Sequence, residues 1–274
     1  MSFEVDGFFS PEAEKFRLYV RESQPFKAWF DYALGLNRLA FAMLRTVQTA
    51  LSDNRQVALN AHFVRVHQSL QSALILAERV LIPDARVVLR SATEGAIAIN
   101  ALARDAGFVD QMIEAHYRSQ RTLARVMRDK FAASFSAAEI SNMNGAIAEA
   151  DAYQALKGSE LTKIKWEQVA EKHCPELYHL IYRDLSSDGT HATLNALNRF
   201  VHVGASGEMT SFKAAPDVEG LVDVLSATSL LFIWSAGPYA ETNGLADAVA
   251  AINERVQEFK TLPGANPREA ATSP

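Results

Sequence analysis

The sequence contains only one cysteine, Cys174, among 274 residues. A single cysteine cannot form a disulfide within the chain, nor can it supply a zinc site built from several thiolates. The scarcity of cysteine is typical of proteins in a reducing compartment. The first residues include acids and show no long apolar run behind a basic segment, so no secretory signal is predicted and we expect a cytoplasmic protein.

An excess of positive charge is also missing, since 27 Lys and Arg stand against 32 Asp and Glu for a net charge of −5. This balance argues against a protein whose whole surface follows nucleic acid, although it allows a local basic patch. The most apolar stretch, residues 221–239, is interrupted by Asp223 and several small polar residues. We therefore predict a core helix there and no membrane partner.

Familiar catalytic and metal-binding motifs are absent from the sequence. It has no phosphate-binding glycine loop, no dinucleotide fingerprint and no serine-hydrolase elbow. Glu176 and His179 match half of a di-iron helical motif, but the chain has no second copy. His62 and His67 diverge on a helix. We predict no metal site and no cofactor.

What the sequence does have is helical periodicity, with apolar residues recurring three and four positions apart along most of the chain. No alternating run is long enough to predict a sheet. The expected fold is all-α, an irregular multi-helix bundle of about ten helices, with a single domain over residues 1–260 and a disordered tail over 261–274. The helix that follows Asp84 is apolar or small on nearly all sides, so it should be the buried central helix.

Two charges on that central helix attract notice, because Arg90 and Glu94 are four residues apart and share a face. The same stripe continues to buried positions, so the pair is expected to point inward. A buried charge is costly unless it is paired and hydrogen-bonded. The pair is therefore either a structural ion pair that fixes helix register or part of a site.

The segment from Tyr178 to His202 holds a second concentration of polar residues. A helix is predicted from Thr190 to His202, and on it a neutral polar stripe recurs at helical spacing. Such a stripe is typical either of a satisfied interface between helices or of a cavity wall. In the second interpretation a histidine is a general acid or base, since imidazole titrates near neutral pH. The catalytic candidates are His191, His202, Tyr182 and Ser186, and the pocket candidates are Arg90, Glu94, Asn195 and Asn198.

A third feature is a row of arginines on one face of the helix predicted over residues 108–131. Guanidinium groups present fixed donor forks, so the row could hold phosphates or RNA. The alternative is a solvated face neutralised by Asp110, Glu114 and acids of a neighbouring helix. The row consists of Arg118, Arg121, Arg125 and Arg128.

The order of Arg90-Ser-x-x-Glu94 and, later, Tyr182-x-x-Leu-Ser186 followed by His191 resembles a widespread bacterial family of helical proteins of unknown function, over roughly residues 55–205. The resemblance implies that these residues converge around one polar pocket. A more distant resemblance is to helical, metal-independent ribonucleases of defence and toxin systems. Those enzymes pair an arginine with a histidine, but seven residues separate Arg183 from His191, a wider spacing than theirs.

Two functional hypotheses follow from these patterns. The first is a helical module that binds a small ligand or a protein partner through a buried polar pocket, in a bacterial stress or defence context. The second is a metal-independent endoribonuclease that uses His191 or His202 and holds RNA on the arginine row. Exposed apolar faces on the terminal helices would also permit a homodimer.

Overall fold

The all-α prediction with about ten helices is confirmed by a computed structural model, which describes residues 2–189, 197 and 200–265. The described part of the chain contains eleven α-helices and one short hairpin. The helices are α1 (Phe3–Asp6), α2 (Pro11–Glu22), α3 (Phe26–Thr46), α4 (Asn54–Glu78), α5 (Ile82–Arg104), α6 (Phe108–Phe131), α7 (Ala137–Lys157), α8 (Trp166–His173), α9 (Arg183–Gly189), α10 (Leu221–Thr242) and α11 (Ala246–Phe259).

The helix starts follow capping residues in the sequence. The Ser10 hydroxyl accepts from the Ala13 amide at 3.1 Å, and proline occupies the next position, where its missing N–H costs nothing. Ser136 and Glu139 form a reciprocal capping box at the start of α7. The start of α5 differs from expectation, because it begins at Ile82 and takes Pro83 into its first turn.

The core lies along α5 and α10. Helix α5 is buried along most of its length and packs most extensively on α4, so the prediction of a buried central helix is confirmed. Helix α10 packs against α3, α4, α5 and α11. By length and composition α10 could cross a membrane, but 78% of its most apolar window is buried inside the protein, as in the core helix of a soluble protein.

The chain separates into two compact units, and the prediction of a single domain stays a prediction. One unit comprises Met1–Arg104 and Ala170–Pro274, and the other comprises Asp105–Val169. The first contains the core described above. Its last described residues stay on the bundle, because the Trp29 indole N–H donates to the Pro263 carbonyl at 2.9 Å. The rest of the predicted tail, residues 266–274, lies outside the described residues.

A short antiparallel hairpin corrects the helix prediction for residues 201 and 202. Strands β1 (Val201–Val203) and β2 (Met209–Phe212) pair with His202 opposite Ser211. The β-branched valines favour extended backbone. Gly207 adopts a positive φ of 87° in the connection, and the Gly204 amide donates to the Glu208 carbonyl. The turn therefore makes this segment a hairpin, although the spacing of its apolar residues had predicted a helix.

Acidification should destabilise the first unit through His67. This histidine is buried, and its Nε2 lies 2.8 Å from Asn37 Oδ1, an acceptor, so the neutral ring donates there. Burial lowers the pKa of His67, so the unfolded state binds more protons near pH 6. The contribution of His67 to stability should be fully present above pH about 6.5, the pKa of a histidine in the unfolded chain. It should decline as the pH falls through that pKa toward the lower pKa of the folded state.

Urea unfolding of the wild type and of His67→Gln between pH 5 and 8 checks this prediction. The variant lacks the contribution of His67, so its free energy of unfolding should depend less on pH than that of the wild type. Part of the pH dependence should remain, because burial of His62 also lowers the pKa of that residue. Equal slopes for the two proteins would contradict a role for His67.

Candidate functional site

Four of the predicted site residues meet on one side of α5. Arg90 and Glu94 come from α5, Tyr182 ends a π-helix at Leu177–Tyr182, and Ser186 lies on α9. The Arg90 guanidinium donates from Nε to Ser186 Oγ at 3.2 Å and from Nη2 to the Tyr182 hydroxyl at 3.0 Å. We call these four residues the Arg90 cluster.

Tyr182 links the two charges of the cluster. Its hydroxyl accepts from Arg90 and donates to Glu94 Oε1 at 3.1 Å, while Arg90 Nη1 remains 3.6 Å from that same oxygen. Burial raises the pKa of Tyr182, and the negative charge of Glu94 raises it further. The phenol therefore stays protonated at neutral pH and acts as a fixed bridge.

The π-helix positions Tyr182 by packing its apolar side against the core. Leu177 and Ile181 are buried, and Leu185 is buried one turn later on α9. The Tyr178 ring stacks on the Tyr182 ring, with centroids 5.3 Å apart and planes 21° apart. Single π-helical turns within α-helices are frequent at functional sites. The Arg90 guanidinium carbon lies 5.1 Å from the Tyr182 ring centroid, so the Tyr178 ring is held beside the Arg90 cluster.

The expectation that Arg90 and Glu94 are buried is wrong. Their side chains are 25% and 29% exposed, respectively. Helix α5 packs on α4 and α10 along its other sides, whereas α9 and the π-helix cover the Arg90 side only in part. The predicted buried polar pocket is in fact a half-exposed cluster, so its charged groups can meet a ligand without a large rearrangement.

The buried arginine of α5 is Arg86, which the sequence reading did not single out. Its side chain is 6% exposed, and its Nη2 donates to Asp184 Oδ2 at 2.7 Å. Arg86 precedes Arg90 by four residues, so continuing the polar stripe one turn toward the N-terminus would have found it. The pair joins α5 to α9 next to the Arg90 cluster.

The remaining candidates of this unit are not all placed. His191, Asn195 and Asn198 lie outside the described residues. His202 is exposed on β1, and a strand cannot continue the polar stripe of a helix, so the expected stripe does not include it. The roles proposed for these four residues stay predictions.

In the second unit the arginines of α6 engage groups within that unit. Asp151 of α7 accepts from Arg121 at 2.9 Å and from Arg125 at 3.2 Å. Arg118 donates to the Leu161 carbonyl, and Arg128 pairs with Asp129 at 2.7 Å. These contacts agree with the interpretation that the arginine row is a solvated face neutralised by nearby acids. The acid of the neighbouring helix α7 is Asp151.

Glu114, expected to help neutralise the arginine row, instead pairs with Lys157. The Lys157 Nζ lies 2.6 Å from Glu114 Oε1, and the Thr162 amide donates to Oε2 at 3.2 Å. The hydrogen bond from Lys157 is the main reason that the pKa of this buried carboxyl lies below its usual range. Glu114 thus holds α6 to α7 and to the segment after α7.

No group of three or more metal-ligating side chains occurs among the residues that the structure describes. Glu171, not Glu176, is the partner of His179, with Nε2 and Oε1 2.7 Å apart. Cys174 is buried, and burial raises the pKa of its thiol to about 12, so it remains protonated.

The fold and the site together define an all-α multi-helix protein whose buried central helix presents a half-exposed arginine and glutamate bridged by a tyrosine. The chain belongs to the family of unknown function DUF5677, whose model matches residues 56–209. The matched segment contains the whole Arg90 cluster, which agrees with the resemblance to a family of unknown function. No curated protein and no solved structure shows significant similarity to the chain.

Proposed function

We propose that the protein is a helical module that binds a small ligand, or a small group of a protein partner, at the Arg90 cluster. The observation that carries the proposal is the open arginine–glutamate pair, in which Tyr182 holds Arg90 Nη1 3.6 Å from Glu94 Oε1. A pair kept at this distance satisfies neither ion fully. Each charge keeps hydrogen-bonding capacity for a ligand.

A second arginine–glutamate pair in the same unit shows what an ordinary structural contact looks like. Arg17 and Glu14 form a close bidentate contact, with Nη2 2.7 Å from Oε1 and Nε 3.0 Å from Oε2. Charge-assisted pairs normally reach this distance. The Arg90 pair does not, although four-residue spacing on a helix would allow it. What distinguishes the Arg90 pair from the wider Arg79–Glu14 contact, at 3.8 Å, is the tyrosine hydroxyl that bonds to both of its charges.

The test is a ligand-observed NMR screen of small planar and charged fragments against the wild type, Arg90→Lys and Arg17→Lys. Lysine keeps the charge but loses the guanidinium fork. Compounds that bind the wild type should bind Arg90→Lys about tenfold more weakly and should bind Arg17→Lys as they bind the wild type. Absence of any binder, or equal binding to all three proteins, would refute the proposal.

A metal-independent endoribonuclease is the second candidate. It is favoured by the exposed His202 and by Arg125, whose side chain is 47% exposed on the arginine row. In it, His191 or His202 acts as general base and the row holds the phosphate backbone. Its support is smaller, because the arginines already bind Asp151 and other groups of their own unit.

Incubation of a mixed RNA pool with the purified protein in excess chelator decides the second candidate. Cleavage that survives the chelator and disappears in His191→Ala or His202→Ala, with unchanged melting temperature, would support a nuclease. If the wild-type protein leaves the RNA intact, the binding module is the better account.

The setting we propose is the cytoplasm of a bacterium, in a stress or defence role. The cytoplasmic part of this setting is supported by the single, buried, protonated Cys174, which suits a reducing compartment. Large apolar side chains are exposed near the N-terminus, including Phe9 at 98% and Leu18 at 51%. They favour the homodimer considered above, which size-exclusion chromatography with light scattering would test.

A further inference from the structure

The chemistry of the open pair points to one class of ligand. Resting on the proposed function, we infer that the Arg90 cluster binds a planar group that carries a carbonyl acceptor beside an N–H donor, as a primary amide does. The inference rests on which atoms of the Arg90 cluster still have hydrogen-bonding capacity, on their opposite character and on the aromatic surface next to them.

The arginine side of the site offers donors. Two of the guanidinium nitrogens of Arg90 are engaged by Ser186 and Tyr182, which fixes the plane of the fork. The third, Nη1, makes no hydrogen bond to any residue that the structure describes, and its closest carboxylate oxygen is 3.6 Å away. Its N–H groups are therefore available to a carbonyl oxygen.

The glutamate side of the site offers an acceptor. Glu94 Oε1 accepts a hydrogen bond from the Tyr182 hydroxyl, whereas Oε2 has no hydrogen-bond partner within the described part of the chain. A carboxylate has several lone-pair sites, and the side chain is 29% exposed. An N–H donor approaching from solvent can reach it.

Tyr182 determines that the site presents a hydrogen-bond donor and an acceptor next to each other. Because its hydroxyl bridges Arg90 Nη2 and Glu94 Oε1, it keeps a donor and an acceptor side by side and prevents them from satisfying each other. A simple anion would satisfy Arg90 but be repelled by Glu94, and a simple cation would meet the reverse problem. A neutral group with both functions in one plane satisfies both ends.

The surroundings suit an aromatic or otherwise flat carrier for that group. The partly exposed Tyr178 ring stacks on the Tyr182 ring with centroids 5.3 Å apart, and the Arg90 guanidinium carbon lies 5.1 Å from the Tyr182 centroid, so a flat ligand would stack on Tyr178 or on the guanidinium. Planar ligands gain offset stacking on such rings. An aromatic amide combines the two required features in one small molecule.

Three probes of nearly identical shape distinguish the alternatives: benzamide, benzoate and benzamidine. Their phenyl rings are the same, but the first presents one acceptor and donors, the second only acceptors and the third only donors. Protein-observed NMR titration of the wild-type chain should give benzamide an affinity about fivefold higher than either charged analogue, since each of those leaves one side of the pair unsatisfied.

The matched variants are Tyr182→Phe and Tyr19→Phe. Without its hydroxyl, residue 182 no longer separates the charges, so Arg90 and Glu94 should close on each other and benzamide binding should fall about tenfold. Tyr19 is 62% exposed on α2, and its replacement should leave binding unchanged. Circular dichroism melting of each variant shows that it is folded.

Each result has a definite meaning. Preference for benzoate would make the site an anion site, and preference for benzamidine would make it a cation site; either outcome overturns the inference while leaving a ligand site in place. Full benzamide affinity in Tyr182→Phe would overturn the bridging role. If none of the three probes binds, the amide inference fails, and the fragment screen then decides whether the proposed function fails with it.

Discussion

Gly95→Ala should lower the free energy of unfolding by about 2 kcal/mol. An ideal Cβ at residue 95 would lie 2.5 Å from Val66 Cγ2, far inside van der Waals contact. Val66 is buried and β-branched, so it cannot rotate away freely. The overlap should outweigh the gain of about 1 kcal/mol that alanine normally brings to a helix interior.

Gly145→Ala is the matched control for that prediction. Gly145 lies within α7, and a Cβ there would meet nothing within 4 Å. Its replacement should therefore raise the melting temperature of the unit to which it belongs, by the equivalent of about 0.5 to 1 kcal/mol. Calorimetric melting of both variants measures the two effects. Stabilisation by Gly95→Ala would show that α4 and α5 are not in such close contact.

The second large effect is expected at the buried arginine. Asp184→Asn should destabilise the protein by about 2 kcal/mol, because the replacement keeps the shape but removes the charge that accompanies Arg86. The Arg86 side chain is 6% exposed and its Nη2 lies 2.7 Å from the Asp184 carboxylate. The loss should be smaller than for a wholly buried pair, since Asp184 itself is 64% exposed.

Asp129→Asn is a suitable comparison for that measurement. Asp129 also accepts from an arginine at 2.7 Å, but the Arg128 side chain of this pair is 35% exposed, against 6% for Arg86. An exposed pair contributes little, so this variant should change the free energy of unfolding much less than Asp184→Asn does. Urea titrations give both numbers. Similar small changes in the two variants would mean that Arg86 does not depend on Asp184.

Local sequence signals predicted the helices with good accuracy. Caps such as Ser10 and Ser136 act within one turn, so neighbouring residues alone specify these helix starts. The hairpin at Val201–Phe212 was missed because residues 201 and 202 continue a helical pattern, while the turn that pairs the strands depends on glycines farther along.

The convergence of Arg90, Glu94, Tyr182 and Ser186 was implied by the family resemblance, whereas the burial expected for the Arg90–Glu94 pair was wrong. Four-residue spacing puts Arg90 and Glu94 on one face of a helix, and similar spacing puts Tyr182 and Ser186 on another. Nothing in this spacing reveals how far the second face covers the first. The expectation of a buried pair therefore failed, and the buried arginine proved to be Arg86.

The sequence by itself determined that the protein is helical, that its central helix is buried and that Arg90 and Glu94 share one face of that helix. These properties depend on periodicity, caps and composition, all of which are local. Only the tertiary structure decided that Tyr182 lies between Arg90 and Glu94 and that the pair remains half-exposed. Those features depend on the distance between helices 90 residues apart in the chain, which no local pattern encodes.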